Sequence, residues 1–156
     1  AKTCNGLTVV TGTIHNKSVD ELVNKQRKNS GITAVRRGGD LRPIVKALKL
    51  GKAVAVLMDQ NNPVDNLNIP FFGKDAPTSA GFAKLALKYK VPILPVSIFR
   101  NDSGFEVIAG DLIEINSYYE TNDTVGLLTE CNLCLEKIVR NNPSEWVWFH
   151  NRWGNS

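Results

Sequence analysis

No run of this 156-residue chain stays apolar for anything near the ~20 residues that cross a bilayer as a helix, so no segment reads as a membrane span. Cysteine is scarce. Cys4, Cys131 and Cys134 form an odd, sparse set, which argues against a disulfide framework and suits a reducing compartment. Cys131-Asn132-Leu133-Cys134 has CxxC spacing, but it falls inside the helical pattern Val125, Leu128, Cys131, Leu135, Ile138. A redox pair belongs at a helix N-terminus, where thiol pKa values fall, and a zinc site needs a further CxxC or HxxxH, which the chain lacks. Both thiols are therefore expected to pack in a core. Glycine clusters only as Gly38-Gly39, too short for a dinucleotide fingerprint or a phosphate loop, and there is no GxSxG elbow. Aromatic residues make up 8% and are not interleaved with Lys and Arg on one face, so no nucleic-acid partner is expected.

What remains is an ordinary globular composition, 42% apolar and 22% charged, long enough for one domain with its own core. The formal net charge of +4 mildly favours anionic partners: phosphate groups, acidic lipids or nucleic acid. The stretch Ala53–Leu87 organises the rest. It opens with the apolar run Ala53–Met58, expected to be a buried strand, and breaks into Asp59-Gln60-Asn61-Asn62. A carboxylate straight after such a run sits at the carboxyl end of a strand, where open α/β sheets bind ligands. A long polar loop to Phe71-Phe72-Gly73 follows. Thr78 or Ser79 then reads as the N-cap of a helix carrying Phe82, Leu85, Ala86 and Tyr89 at helical spacing.

The flanking elements follow the same logic. Leu7–Ile14 and Ile32–Val35 are β-branched and short, as strands are. Ser18–Asn29 has helical spacing, and Asp40 is expected to cap a second helix through Leu50, with Pro43 in its first turn. Val91–Phe99 reads as another buried strand in which Pro92 and Pro95 are awkward. Asn101–Gly104 is a turn, Phe105–Ala109 pairs back across it, Asp111–Ile115 extends it, and Thr121–Asn141 is the last long helix. Strands alternating with helices predict an α/β fold: a mostly parallel sheet with helices on both faces and an antiparallel addition near the C-terminus.

Candidate chemistry gathers at predicted strand ends. Asp59 is the central carboxylate. Arg36, Arg37, Arg42, Arg100 and Arg152 fall near the same rim, and a guanidinium pairs bidentately with phosphate or carboxylate. Backbone N–H groups at Thr78-Ser79 would add an anion site if a helix starts there. His15 and Asp20 have HxxxxD spacing, which can let an acid orient an imidazole that deprotonates a hydroxyl. His150 lies in the aromatic tail Glu145–Trp153, as packing or as a ligand contact.

Several segments together resemble one family. They are Arg37-Gly38-Gly39-Asp40-Leu41-Arg42-Pro43, Val56-Leu57-Met58-Asp59-Gln60, Pro70-Phe71-Phe72-Gly73, Ala76-Pro77-Thr78-Ser79-Ala80-Gly81, Val91–Val96, Arg100 and the tail Glu145–Trp153. In that order they look like the late lauroyl/myristoyl acyltransferases of lipid A biosynthesis in Gram-negative bacteria. The resemblance implies a glycerolipid-acyltransferase-like fold. It also implies transfer of a fatty acyl chain from acyl carrier protein to a hydroxyl of a Kdo-bearing lipid A precursor, at the cytoplasmic face of the inner membrane. Acyl carrier protein, the lipid A precursor and the inner-membrane surface are the expected partners, with acyl-carrier-protein thioester as co-substrate and no cofactor or metal. Asp59 would be the catalytic-site acid, and Arg37, Arg42, Gln60, Thr78, Arg100 and Arg152 would bind substrate. The family's HxxxxD/E box lies one βα unit further upstream of Asp59 than His15 does. His15 and Asp20 are therefore expected to match it by coincidence. Residues 1–156 would then be a single partial domain, without the membrane helix and the box. A related glycolipid or phospholipid acyltransferase, or a non-catalytic anion-binding module, is the alternative.

Overall fold

The computed structural model describes residues 6–12, 14–61 and 65–154. Cys4, and Thr13 of the first expected strand, lie outside the described residues. The chain divides into two compact units, Ala1–Leu57 and Met58–Ser156.

In the first unit, strand β1 (Leu7–Thr11), helix α1 (Lys17–Asn29), strand β2 (Ile32–Arg36), helix α2 (Arg42–Lys49) and strand β3 (Val54–Ala55) follow in order. The strands form a parallel sheet in the order β2-β1-β3, with Leu7 opposite Ile32 and Thr8 opposite Val54. Asn16 caps α1 by accepting from the Val19 N–H at 3.2 Å. Asp40 acts one position earlier than a cap would. Its carboxylate accepts from the Arg42 N–H at 3.0 Å, an Asx turn that delivers Pro43 into the first turn of α2. Ile44 and Ala47 of α2 and Val35 of β2 are buried. The run Ala53–Met58 departs from its expectation. Only Val54 and Ala55 are strand, on the edge of the sheet, and Leu57 is 63% exposed.

The second unit is built on a hairpin. Strand β4 (Asn66–Phe71) pairs antiparallel with β5 (Lys74–Ser79), Ile69 opposite Ala76 and Leu67 opposite Thr78. Alternation puts Ile69, Phe71, Ala76 and Thr78 on the buried face. Helix α3 (Gly81–Tyr89), α4 (Asn116–Thr121) and α5 (Thr124–Asn141) complete the core, a single buried cluster that includes Ile69, Ala83, Leu87, Ile113, Leu127, Leu128 and Cys131. Asp123 caps α5 through the Gly126 N–H at 2.8 Å. Cys131 and Cys134 lie inside α5. Cys131 is buried in the core and its thiol is pushed up to about 12 by burial, while Cys134 is half-buried against the same core and raised by the same cause. A second hairpin joins strand β6 (Val96–Asn101) to β7 (Gly104–Ala109).

Three expectations are corrected here. The long loop before Phe72 and the helix start at Thr78 are instead the two strands of the β4–β5 hairpin, and the helix begins at Gly81. The buried strand Val91–Phe99 becomes Val96–Asn101, starting just after Pro95, because Pro92 and Pro95 supply no ladder donor. It pairs only with β7, so it does not extend the parallel sheet. The fold is therefore mixed α/β: three short parallel strands in one sheet and four strands in two antiparallel hairpins, rather than one mostly parallel sheet. No helix among the described residues is long and apolar enough to cross a membrane.

Candidate active site

Asp59 sits in the loop that opens the second unit, and one of its carboxylate oxygens, Oδ1, is buried with no hydrogen-bond partner. A buried acceptor left empty is costly, so such an atom marks a place where chemistry or positioning offsets the cost. Two residues on, the Asn61 N–H donates to His150 Nε2 at 2.8 Å. That bond makes Nε2 an acceptor and places the ring proton of the neutral imidazole on Nδ1. Two residues beyond His150, Arg152 is 0% exposed. One guanidinium nitrogen donates to the Pro77 carbonyl and the other to Thr78 Oγ1 at 2.8 Å, while its Nε–H is buried and unpartnered.

The hairpin and α5 hold this arginine. Thr78 Oγ1 donates to the Ala76 carbonyl at 3.0 Å and also accepts from Asn132 Nδ2 of α5 at 3.4 Å. Asn132 reaches the Pro70 carbonyl as well, at 3.1 Å. The Phe71 ring lies 5.1 Å from the guanidinium, with Trp153 at 5.7 Å and Trp146 at 5.8 Å between ring centroids. Trp153 Nε1 donates to the Phe71 carbonyl at 3.1 Å. The tail is thus fastened to the Asp59 loop through His150, to β5 through Arg152 and to β4 through Trp153.

Among the described residues no acidic side chain forms a direct ion pair with Arg152. Burial lowers the Arg152 pKa from its ordinary value, and the Asp59 carboxylate pushes it back up. Asp59 thus acts on the buried cation as a favourable negative charge without a direct ion pair. Chemically, the cluster offers a carboxylate that can accept from a hydroxyl, beside a fixed positive charge.

The model of the bacterial lipid A biosynthesis acyltransferase family matches residues 1–155. The chain belongs to that family. No curated protein matches it. It is accordingly an O-acyltransferase of lipid A biosynthesis, with a lipid A-type substrate.

In this acyltransferase the expected site residues separate into groups. Within the second unit, Asp59, Thr78 and Arg152 come together. Thr78 is there as the support of Arg152, its hydroxyl fully engaged, and not as a helix N-cap with N–H groups aimed at a ligand. The Gln60 side chain is exposed. Arg100, also exposed, lies on β6 with its guanidinium 5.5 Å from the Phe105 ring. Arg37 and Arg42 belong to the first unit. Arg37 is half-buried and its N–H donates to the Thr11 carbonyl at 2.9 Å, while Arg42 is exposed and paired with Asp40 at 2.8 Å. Asp20 accepts from Arg36 at 2.8 Å and His15 is exposed, so this carboxylate orients a guanidinium and not the imidazole of an HxxxxD pair.

Asn132, Asn61 and Pro77 were not singled out by the sequence. Asn132 carries a signal in retrospect: it is a fully buried polar residue beside Cys131 on the core face of α5. Asn61 and Pro77 contribute backbone groups, which no side-chain pattern announces.

Proposed function

We propose that this acyltransferase moves a fatty acyl chain from acyl carrier protein to a hydroxyl of a Kdo-bearing lipid A precursor, at the cytoplasmic face of the inner membrane of a Gram-negative bacterium. The acceptor oxygen attacks the thioester carbonyl, the C–O bond forms, the C–S bond breaks, and the hydroxyl proton passes to a base and from it to the leaving thiolate of acyl carrier protein. By family resemblance that base is the His of an HxxxxD/E box, a role this reading does not give to His15. Asp59 accepts from the acceptor hydroxyl and orients it. Arg37, Arg42, Gln60 and Arg100 contact the anionic acceptor, for which guanidinium groups are well suited.

The observation that carries this reading is the empty, buried Oδ1 of Asp59 in a chain matched by the family from end to end. The test is acyl transfer by the full-length protein, supplied with acyl carrier protein thioester and either a Kdo-bearing precursor or a simple glycerolipid. Asp59→Ala is expected to cut the rate by about 100-fold or more, the scale of a positioned proton-handling group. An unchanged rate would remove Asp59 from the site. Preference for the glycerolipid would move the enzyme to a different acceptor.

A further inference from the structure

Arg152 was expected to bind substrate, yet it is wholly buried, and both ends of its fork are spent on protein oxygens. Its nearest functional neighbour is reached through the chain itself. Asn61 and His150 are bonded, Asp59 stands two residues before the one, and Arg152 two residues after the other. Each of the pair keeps one buried atom without a partner, an acceptor on Asp59 and a donor on Arg152.

We propose that Arg152 is a positioning residue for Asp59: a guanidinium locked by Pro77 and Thr78 whose charge holds the carboxylate in place without touching substrate. A buried cation with no ion pair is unfavourable unless something compensates it, and replacing such a group by an apolar residue of similar volume is often neutral for stability. Here the Asp59 carboxylate, with which it makes no direct ion pair, offsets part of that burial cost. Thr78 and Asn132 fix the guanidinium from below, so the carboxylate answers to a rigid charge and not to a mobile side chain. The His150–Asn61 bond fixes the backbone of the same loop. The tail Trp146–Trp153 thereby becomes part of the catalytic scaffold, although none of it needs to reach the substrate.

The proposal rests on the active-site role of Asp59 for its kinetic readout, while the coupling between the two side chains has a readout of its own. Thermal melting of the wild type, Asp59→Asn, Arg152→Met and the double variant measures that coupling. Asp59→Asn strands the buried cation and is expected to lower Tm by about 5 °C or more, and adding Arg152→Met should recover most of that loss. Simple additivity of the two changes overturns the proposal. In acyl-transfer kinetics, Arg152→Met is expected to lower kcat at least about 10-fold with both KM values within about twofold, and to cost nothing further once Asp59 is Asn. Arg152→Lys keeps the charge and should retain more of kcat than Arg152→Met. A raised KM for the acceptor with kcat intact makes Arg152 a substrate contact and also overturns the proposal. If the wild type transfers no acyl chain, the functional reading fails, and the melting cycle still decides whether Arg152 and Asp59 act as one unit.

Discussion

Thr78 shows how much a single hydroxyl carries in this protein. It donates once and accepts twice, and one of its donors is the charged Nη2 of a fully buried arginine. Thr78→Val keeps the shape and removes the acceptor. It should cost about 1–3 kcal/mol, the penalty for leaving a buried donor empty, and more if the charge cannot relax. Thr78→Ser keeps the oxygen and should cost under about 1 kcal/mol, the scale of one lost methyl group. Urea denaturation of the two variants checks this, and equal stability of Thr78→Val and wild type would mean that Arg152 does not depend on the hydroxyl. At this scale the sequence was informative in one place. The break from Met58 to Asp59 is abrupt and points to the acid on which the candidate site is built, although the buried strand expected before it shrinks to Val54–Ala55. Arg152 was named in the sequence as one cation among several. Its burial was not legible, because the tail runs Trp146-Val147-Trp148-Phe149 straight into His150-Asn151-Arg152, with no period from which an inward face can be read.

Among the elements, the β4–β5 hairpin is the one that sequence patterning missed, and its turn explains why. Phe71 pairs with Lys74, so the loop is Phe72-Gly73, with φ of 50° and 76°. Positive φ at both positions is the type I′ hairpin turn, which Asn-Gly or Asp-Gly would have announced. Phenylalanine in that region is unfavourable by roughly 1–2 kcal/mol. Helix α5 supplies the compensation: Glu136 accepts the Phe72 N–H at 2.6 Å, and Arg140, one turn on, places its guanidinium 4.8 Å from the Phe72 ring. Glu136→Ala should therefore destabilise the second unit by about 1–3 kcal/mol, as expected for a lost hydrogen bond to a charged group. Glu136→Gln keeps an acceptor oxygen and should lose less than half of that in the same denaturation experiment. Helices were easier to read. α1, α2 and α5 fall within a few residues of their expected spans because a 3.6-residue period agrees with the start signals there, side-chain caps for α1 and α5 and Pro43 in the first turn of α2. Pro70 and Pro77 both lie within strands of the hairpin. A two-stranded sheet has only edges, where a missing N–H can face outward, and that is where proline is tolerated.

Across the whole molecule, apolar surface is left open in each unit considered by itself. In the first, α1 buries no residue, and Val19 and Leu22 are exposed. In the second, the β6–β7 register places Ile98 opposite Val107 and Val96 opposite Ala109 on one face, with Phe105 on the same side. Val96, Ile98, Phe105 and Val107 are each more than half exposed. A two-stranded hairpin is marginal by itself, and both of its edges present unpaired N–H and C=O groups beside that apolar face. Contiguous apolar surface of this kind marks an interaction site or an aggregation liability. The 156-residue chain, expressed alone, is therefore expected to self-associate. Light scattering after size exclusion should give a mass above the 17.2 kDa of one chain, rising with concentration. Ile98→Lys together with Val107→Glu puts opposite charges across the strand pair, keeping the hairpin while removing the apolar face. That double variant should run closer to a monomer than the wild type at the same concentration. If the unmodified chain is instead a monodisperse monomer that melts cooperatively, the exposed face of β6–β7 does not drive association.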